Sequence, residues 1–326
     1  MALFGKKKGG GGGAPATRLY YASDIHGSEV LWRKFLNAGG AYEAGVLVMG
    51  GDVTGKVVVP LVEADGGFEV DLFGQKSHVS GEALEEMEQK IRSNGMYPHR
   101  MTRADVARVA ALSEEQREEW FAEVMRQTFD GWLALADERL TAETRCFVMP
   151  GNDDPHGVDE SIEQAGKVEA CDGRVVRFGD HTMISVGYAN RTPFDSPREL
   201  SEEELYARIC ALAEEAGEMT RCIFNLHVPP YDSQLDTAPA LDDNLAVVMS
   251  GSAPKLIPVG STAVREAIER YQPLLSLHGH VHESPGATRI GRTLAINPGS
   301  DYHTGRINGC LITLAGDTVR HQFVTG

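Results

Sequence analysis

Seven side chains in this chain are of the types that hold metal ions: Asp24, His26, Asp52, Asn152, His227, His280 and His282. They arrive in five short pieces, Asp24-Ile25-His26, Gly50-Gly51-Asp52, Gly151-Asn152-Asp153-Asp154, His227-Val228-Pro229-Pro230 and Gly279-His280-Val281-His282. Imidazole and carboxylate together suit manganese, iron, zinc or cobalt. Seven donors exceed the four ligands of a zinc site. Were one aspartate shared, each of two metals would have four protein ligands, with positions left for water and substrate. Two cations roughly 3.5–4 Å apart are a known solution for hydrolysing phosphate esters. The neutral amide oxygen of Asn152 keeps such a centre net positive, which favours a phosphate. Each piece alone is weak: D-x-H and G-G-D occur in ordinary loops, and His227 on its own reads equally as a core histidine. Their joint order carries the argument.

Each piece closes an apolar run: Leu19–Ser23, Val46–Met49, Arg145–Met149, Cys222–Leu226 and Leu274–Leu277. These runs read as buried strands, and in an open α/β sheet ligands gather outside the carboxyl ends of strands. Ser28 to Ala38 reads as a helix stopped by Gly39-Gly40. The opening order, strand, loop, helix, strand, points to an α/β fold. Further on, short strands are expected at Val175–Phe178 and Thr182–Val186, and helices at Ser201–Ala216, opened by a Ser201/Glu204 capping box, and at Thr262–Tyr271. Residues 232–260 read as loop, and Thr288 to Val324 as strands joined by Gly turns.

Between the second and third of these strands lies an interruption, residues 55–142, read as an inserted cap. Lys56 to Phe73 has the pattern of a hairpin turning at Asp65-Gly66-Gly67. Gly81–Asn94 and Thr102–Leu112 read as helices. Ser113, with Gln116 completing a capping box, opens a long helix to about Leu140. Its Trp120, Phe121, Val124, Met125, Phe129, Trp132, Leu133 and Leu135 form one apolar stripe. Core packing is the expected use of that stripe, with a ligand-facing lid as the alternative.

The 326 residues are 42% hydrophobic, enough for a sizeable core. No apolar run approaches the roughly 18 residues that span a bilayer, and no signal-peptide h-region follows the Lys triplet at the start. A cytoplasmic location and no membrane partner are therefore expected. The net charge of −16 argues against binding duplex nucleic acid. The five cysteines are scattered without a C-x-x-C, as buried reduced thiols would be. Residues 1–17, rich in Lys and Gly, read as a flexible tail. No strand precedes its glycines and no G-K-[ST] closes them, so they are not a phosphate loop.

The five motifs, in this order and approximate spacing, resemble those of the calcineurin-like metallophosphoesterase superfamily, and within it the small prokaryotic phosphoesterases. The resemblance covers Arg18 to Asp52 and Arg145 to about Asp301. It implies an α/β fold of four layers, an α/β/β/α sandwich, carrying the hairpin-plus-helices insertion. It also implies two divalent transition metals, manganese or iron, with zinc as a further candidate. Asp24, His26 and His282 would bind the first metal, Asn152, His227 and His280 the second, and Asp52 would bridge. The nucleophile would be a hydroxide held between them.

One position departs from the pattern. The superfamily usually has His after the Asn, and here it is Asp153. A carboxyl with an unperturbed pKa of about 3.9 is ionised and cannot protonate a leaving group, unless a neighbour such as Asp154 raises it. His156 is a substitute donor. Asp153, Asp154 and His156 are thus the catalytic candidates. Asn190 and Arg191 are secondary candidates for holding a phosphate. Asn297-Pro298-Gly299-Ser300 resembles the family's closing turn, His278 is set aside, and His303 is unassigned. The function implied is metal-dependent hydrolysis of a small phosphodiester or nucleotide. Its rivals are a phosphoprotein phosphatase and a non-catalytic scaffold; the latter is disfavoured because all seven donor positions are filled. The insertion is a candidate contact for a homo-oligomer.

Overall fold

The computed structural model describes residues 16–326. The Lys- and Gly-rich tail lies outside them, except that Thr17 already opens the first strand, Thr17–Ala22. That strand lies in a six-stranded sheet with Val46–Met49, Arg145–Val148 and Val168–Ala170 on one side, all parallel. On its other side the antiparallel pair Asn308–Ala315 and Thr318–Thr325 completes the sheet. A second six-stranded sheet has a parallel centre of His181–Val186, Cys222–Leu226, Leu275–Leu277 and Thr293–Asn297. Val175–Phe178 and Gly286–Ile290 form its antiparallel edges.

The central strands are covered on both faces, which is why they read as unbroken apolar runs. Between the sheets, Leu19, Tyr21, Val48 and Phe147 meet Met183, Ile223, Leu277 and Ile296. On the outer face of the first sheet, Tyr20, Leu47, Cys146 and Val148 pack against Trp32 and Phe35 of helix Glu29–Ala41. Helices Glu202–Ala216 and Thr262–Tyr271 cover the second sheet through Leu205, Ile209, Val264 and Ile268. The result is the expected four layers, α/β/β/α. Burying each of these large side chains contributes roughly 1.5–3 kcal/mol.

The structure corrects two details of the sequence reading. Helix Glu29–Ala41 runs through Gly39 and Gly40 and does not stop before them. Two glycines cost it about 1 kcal/mol each relative to alanine, and its buried Leu31, Trp32, Phe35 and Leu36 outweigh that. The long helix, Glu114–Arg139, is not part of a cap. Its Val124, Met125, Phe129, Trp132 and Leu133 belong to the same outer core as Trp32, with the Trp32 and Trp132 rings stacked at 6.2 Å. The apolar stripe is therefore core packing.

What stands apart is smaller, a four-stranded sheet between residues 57 and 101. Its strands lie in the order Gln75–Val79, Gly67–Leu72, Val57–Ala64, Met96–Met101. The expected hairpin is its centre, and the two outer strands are additions to the sequence reading. Helix Glu82–Ser93 packs on it through Leu84 and Ile91. The 232–260 segment holds short two-stranded pairings, such as Thr237–Pro239 with Leu256–Pro258. Among the described residues, no helix is long and apolar enough to cross a membrane.

Candidate metal centre

All parallel strands of each sheet end at the same edge, and the seven donors follow their carboxyl ends. Asp24 and His26 come after Ala22, Asp52 after Met49, Asn152 after Val148, His227 after Leu226, and His280 and His282 after Leu277. The loops leaving these strands turn sharply. Asp24, His26, Asp52 and His280 have φ of 58°, 40°, 50° and 64°. Non-glycine residues held there cost about 1–3 kcal/mol each and persist where the surroundings fix them, often at functional sites.

Two clusters of ligand atoms result. In the first, Asp24, His26 and His282 place one ligand atom each within 4.8 Å of one another. Nε2 of His26 and Nε2 of His282 are 3.0 Å apart, and Oδ1 of Asp24 is 3.4 Å from the latter. Two imidazole nitrogens at that distance repel unless a proton or a cation lies between them. In the second cluster, Asp52, His227 and His280 are grouped in the same way. Nδ1 of His280 and Nε2 of His227 converge on Oδ1 of Asn152 at 2.7 and 3.0 Å. Asp52 Oδ2 connects the clusters, 3.3 Å from His227 Nε2 and 3.7 Å from His26 Nε2.

The surrounding polar bonds hold these groups in place. His227 Nδ1 donates to the carbonyl of Gly50 at 2.8 Å, which turns Nε2 toward the centre. Asp24 accepts the backbone N–H of His280 at 3.0 Å, and its own carbonyl accepts the Ser300 hydroxyl at 2.6 Å. Asn297 Nδ2 donates to the carbonyls of Leu235, Gly279 and Val281, so the Asn297–Ser300 turn braces the G-H-x-H loop. A Cβ on Gly279 would lie 2.2 Å from Asp24 Oδ2, and one on Gly151 2.2 Å from Asp52 Oδ1. Glycine is required at both.

Electrostatics point the same way. Burial disfavours ionisation of Asp52, but the charges of His227, His26 and His280 and a hydrogen bond from His227 outweigh it and hold the carboxyl well below its usual range. Asp24 is lowered despite burial, through the His282 hydrogen bond and the charge of His227. Burial also opposes charge on His227, yet Asp52 beside it lifts the ring to about 10. Burial, with the charge of His227, pushes His280 down to about 4, leaving a neutral ring with a free lone pair. Buried carboxylates compensated only by protons on imidazole, beside a neutral imidazole and an amide oxygen, are a donor set that fits divalent cations.

The catalytic candidates separate. Asp153 reaches the centre: its carboxylate groups with ligand atoms of His26 and Asp52, and its N–H donates to Asp52 Oδ1 at 2.9 Å. Asp154 does not. It is fully buried and accepts from Val53 N, Thr54 N, the Thr54 hydroxyl and Gly151 N at 2.5–3.0 Å. Burial and then the charge of Asp52 push its carboxyl up, but it faces backbone, and its role is to pin the Asp52 loop to the Asn152 loop. His156 is exposed and joins neither cluster. Arg191 is exposed near the Glu204 carboxylate, and Asn190 lies in a short pairing with Glu199–Leu200. His278 is buried between the Ser276 hydroxyl and the carbonyls of Leu226 and Val228.

Several residues that sequence reasoning missed surround the centre. Lys56 Nζ is 2.6 Å from Asp153 Oδ2, and Ser196 donates to Asp153 Oδ1 at 2.8 Å. The Tyr302 ring lies against those of His26 and His282 at 4.8 and 5.8 Å. Arg198, fully buried, donates to the carbonyls of Asp154 and Pro155 and pairs with Asp159, holding the loop after Asn152. A lone Lys, Ser, Tyr or Arg in a loop leaves no pattern to find it by.

The four layers, with the donor set at the strand ends, form a fold shared with solved structures. One solved structure superposes with a TM-score of 0.55 at 14% identity, over 94% of this chain and 99% of its own. The structure of TT1561 from Thermus thermophilus gives 0.49 at 12% identity, covering 94% of this chain and 99% of its own. No family model matches the chain. An uncharacterized protein of Methanocaldococcus jannaschii, MJ1162, is 28% identical over 153 residues, which is 46% of this chain. The match spans 62% of that relative's length.

Proposed function

We propose that this protein hydrolyses phosphate esters with two divalent transition metals, and that its substrate is a small phosphodiester or nucleotide. The observation that carries this reading is the pair of donor clusters joined by Asp52, with Oδ2 at 3.3 Å from His227 and 3.7 Å from His26. Asp24, His26 and His282 would hold one cation, and Asn152, His227 and His280 the other. Bound there, the cations supply Lewis acidity toward water and toward phosphoryl oxygens.

The chain's own residues do the rest. Asp52, ionised and buried, faces both clusters. The Gly50 carbonyl fixes the ring of His227, and the His280 N–H fixes the carboxylate of Asp24, so the donors are preorganised. Asp154, Arg198 and Asn297 hold the three loops at the distances the donors need. The Tyr302 ring packs beside His26 and His282.

The test is hydrolysis of chromogenic aryl phosphodiester and phosphomonoester by protein stripped of metal and then refilled with manganese. Turnover should require the metal and fall by on the order of a hundredfold or more in Asp52→Asn, since even outer-shell changes at metal sites cost 10–100-fold. Equal turnover with and without metal, or an unaffected Asp52→Asn, would contradict the reading.

A further inference from the structure

Asp153 stands where the superfamily usually has a histidine, and its surroundings are specific. Its carboxylate is only 14% exposed and is tied at several points. Oδ1 accepts the Ser196 hydroxyl at 2.8 Å and the Asn152 amide at 3.2 Å. Oδ2 takes the Lys56 ammonium at 2.6 Å and lies 3.9 Å from Nδ1 of His26. The side chain therefore keeps a carboxylate oxygen within 4.8 Å of ligand atoms of both His26 and Asp52.

Lys56 approaches from the other side. It is 59% exposed, so one end of the pair faces solvent and the other faces the centre. Among the described residues, it is the one Lys or Arg that forms an ion pair with any of the donor or catalytic candidates. It is placed there by the start of the inserted sheet, for Gly55 N donates to the hydroxyl of Tyr97 at 2.6 Å and Val57 opens the first inserted strand.

We infer that the Asp153–Lys56 pair selects substrates by charge, admitting phosphodiester monoanions and discriminating against phosphomonoester dianions. This deepens the hydrolase reading and rests on it. A phosphomonoester carries about −1.5 to −2 charges at neutral pH, whereas a diester carries one, because its second ester oxygen replaces an ionised one. A fixed carboxylate beside the centre repels the extra charged oxygen. At a separation of about 4 Å the Coulomb interaction of two unit charges runs from roughly fivefold in an equilibrium constant in bulk water to several hundredfold near a protein surface. Lys56 neutralises the pair toward solvent and holds the Asp153 side chain in its inward position. A monoanion therefore pays little at the entrance, while a dianion meets the carboxylate. A neutral asparagine at 153 would keep the shape and the Ser196 contact without the charge.

The experiment uses the full chain loaded with manganese, in wild type, Asp153→Asn, Lys56→Gln and the double variant. Each is assayed on aryl phosphodiester and phosphomonoester, and the metal content of each is measured by elemental analysis. The affinity of inorganic phosphate, above its second pKa, and of dimethyl phosphate is measured by calorimetry. Asp153→Asn should raise the monoester-to-diester ratio of kcat/KM about tenfold and tighten phosphate binding by a similar factor, with dimethyl phosphate, which carries one charge fewer, tightened less. Lys56→Gln, which leaves the carboxylate uncompensated, should lower that ratio further, and the double variant should restore it toward that of Asp153→Asn. A ratio unchanged within twofold in Asp153→Asn overturns the inference. Loss of metal from that variant also overturns it, since Asp153 would then be a ligand. If wild type turns over neither ester, the hydrolase reading fails separately, and phosphate affinity unmoved by Asp153→Asn still overturns the charge selection.

Discussion

At the carboxyl edge of the sandwich, Asp24, Asp52 and His280 are held in left-handed backbone by bonds that cross between loops: His280 N to Asp24, Asp153 N to Asp52, and Val53 N and Thr54 N to Asp154. In the inserted sheet the cohesion is of another kind. Val59, Leu61, Val70, Leu72 and Val79 face Leu84 and Ile91 of the covering helix, forming a small core separate from those of the sandwich. The two regions meet through Gly55, Lys56 and Tyr97, and Tyr97 packs into the sandwich core against Phe121. The donor platform is thus over-determined by polar bonds anchored in a large core, while the inserted sheet depends on few apolar contacts and supplies one side chain to the mouth of the centre. On the proposed reading, the first region would hold the metals and the boundary between the two would select among substrates.

The largest effect that separates them is expected from Leu61→Ala. Leu61 is fully buried in the small core, and such truncations cost about 2–5 kcal/mol. Native-state hydrogen exchange should show the loss in strands Val57–Ala64, Gly67–Leu72 and Met96–Met101, with the sandwich strands keeping their protection. Equal loss of protection in Val46–Met49 and Cys222–Leu226 would mean that the two regions unfold as one unit.

A smaller effect, confined to the platform, comes from His278. Its ring is buried with Nδ1–H donating to the Leu226 and Val228 carbonyls and Nε2 accepting from Ser276. Burial pushes its pKa down from 6.5 to about 4. Above the unfolded value neither state holds the proton, so nothing is lost. Between 6.5 and about 4 the unfolded chain binds a proton that the native ring refuses, so stability falls as pH falls, by about 3 kcal/mol at the lower end. Denaturant midpoints of metal-free wild type should therefore drop more steeply over that window than those of His278→Gln. Parallel curves would show that the ring accepts a proton in place.

The platform was legible in the sequence for a physical reason. Each donor follows a strand buried on both faces, so an unbroken apolar run announces it, as Val46–Met49 announces Asp52. The resemblance then supplied the layers that periodicity alone does not. The inserted sheet was half legible: the Asp65-Gly66-Gly67 turn marked its hairpin, but Gln75–Val79 is polar and Met96–Met101 carries Pro98, and both rely on tertiary pairing. Asp154 illustrates a different limit. A carboxylate that binds backbone N–H groups from a distant loop has the same letters as one that does chemistry, and only the fold tells them apart. Asp153 and Lys56, 97 positions apart in sequence, meet because two strand-end loops meet.

The most direct test of the account is a crystal of the manganese-loaded protein measured for anomalous scattering. The account predicts two peaks about 3.5–4 Å apart, one among Asp24, His26 and His282, the other among Asn152, His227 and His280, with Asp52 between them. A single peak, or manganese bound away from these residues while the clusters keep their present hydrogen bonds, would contradict it.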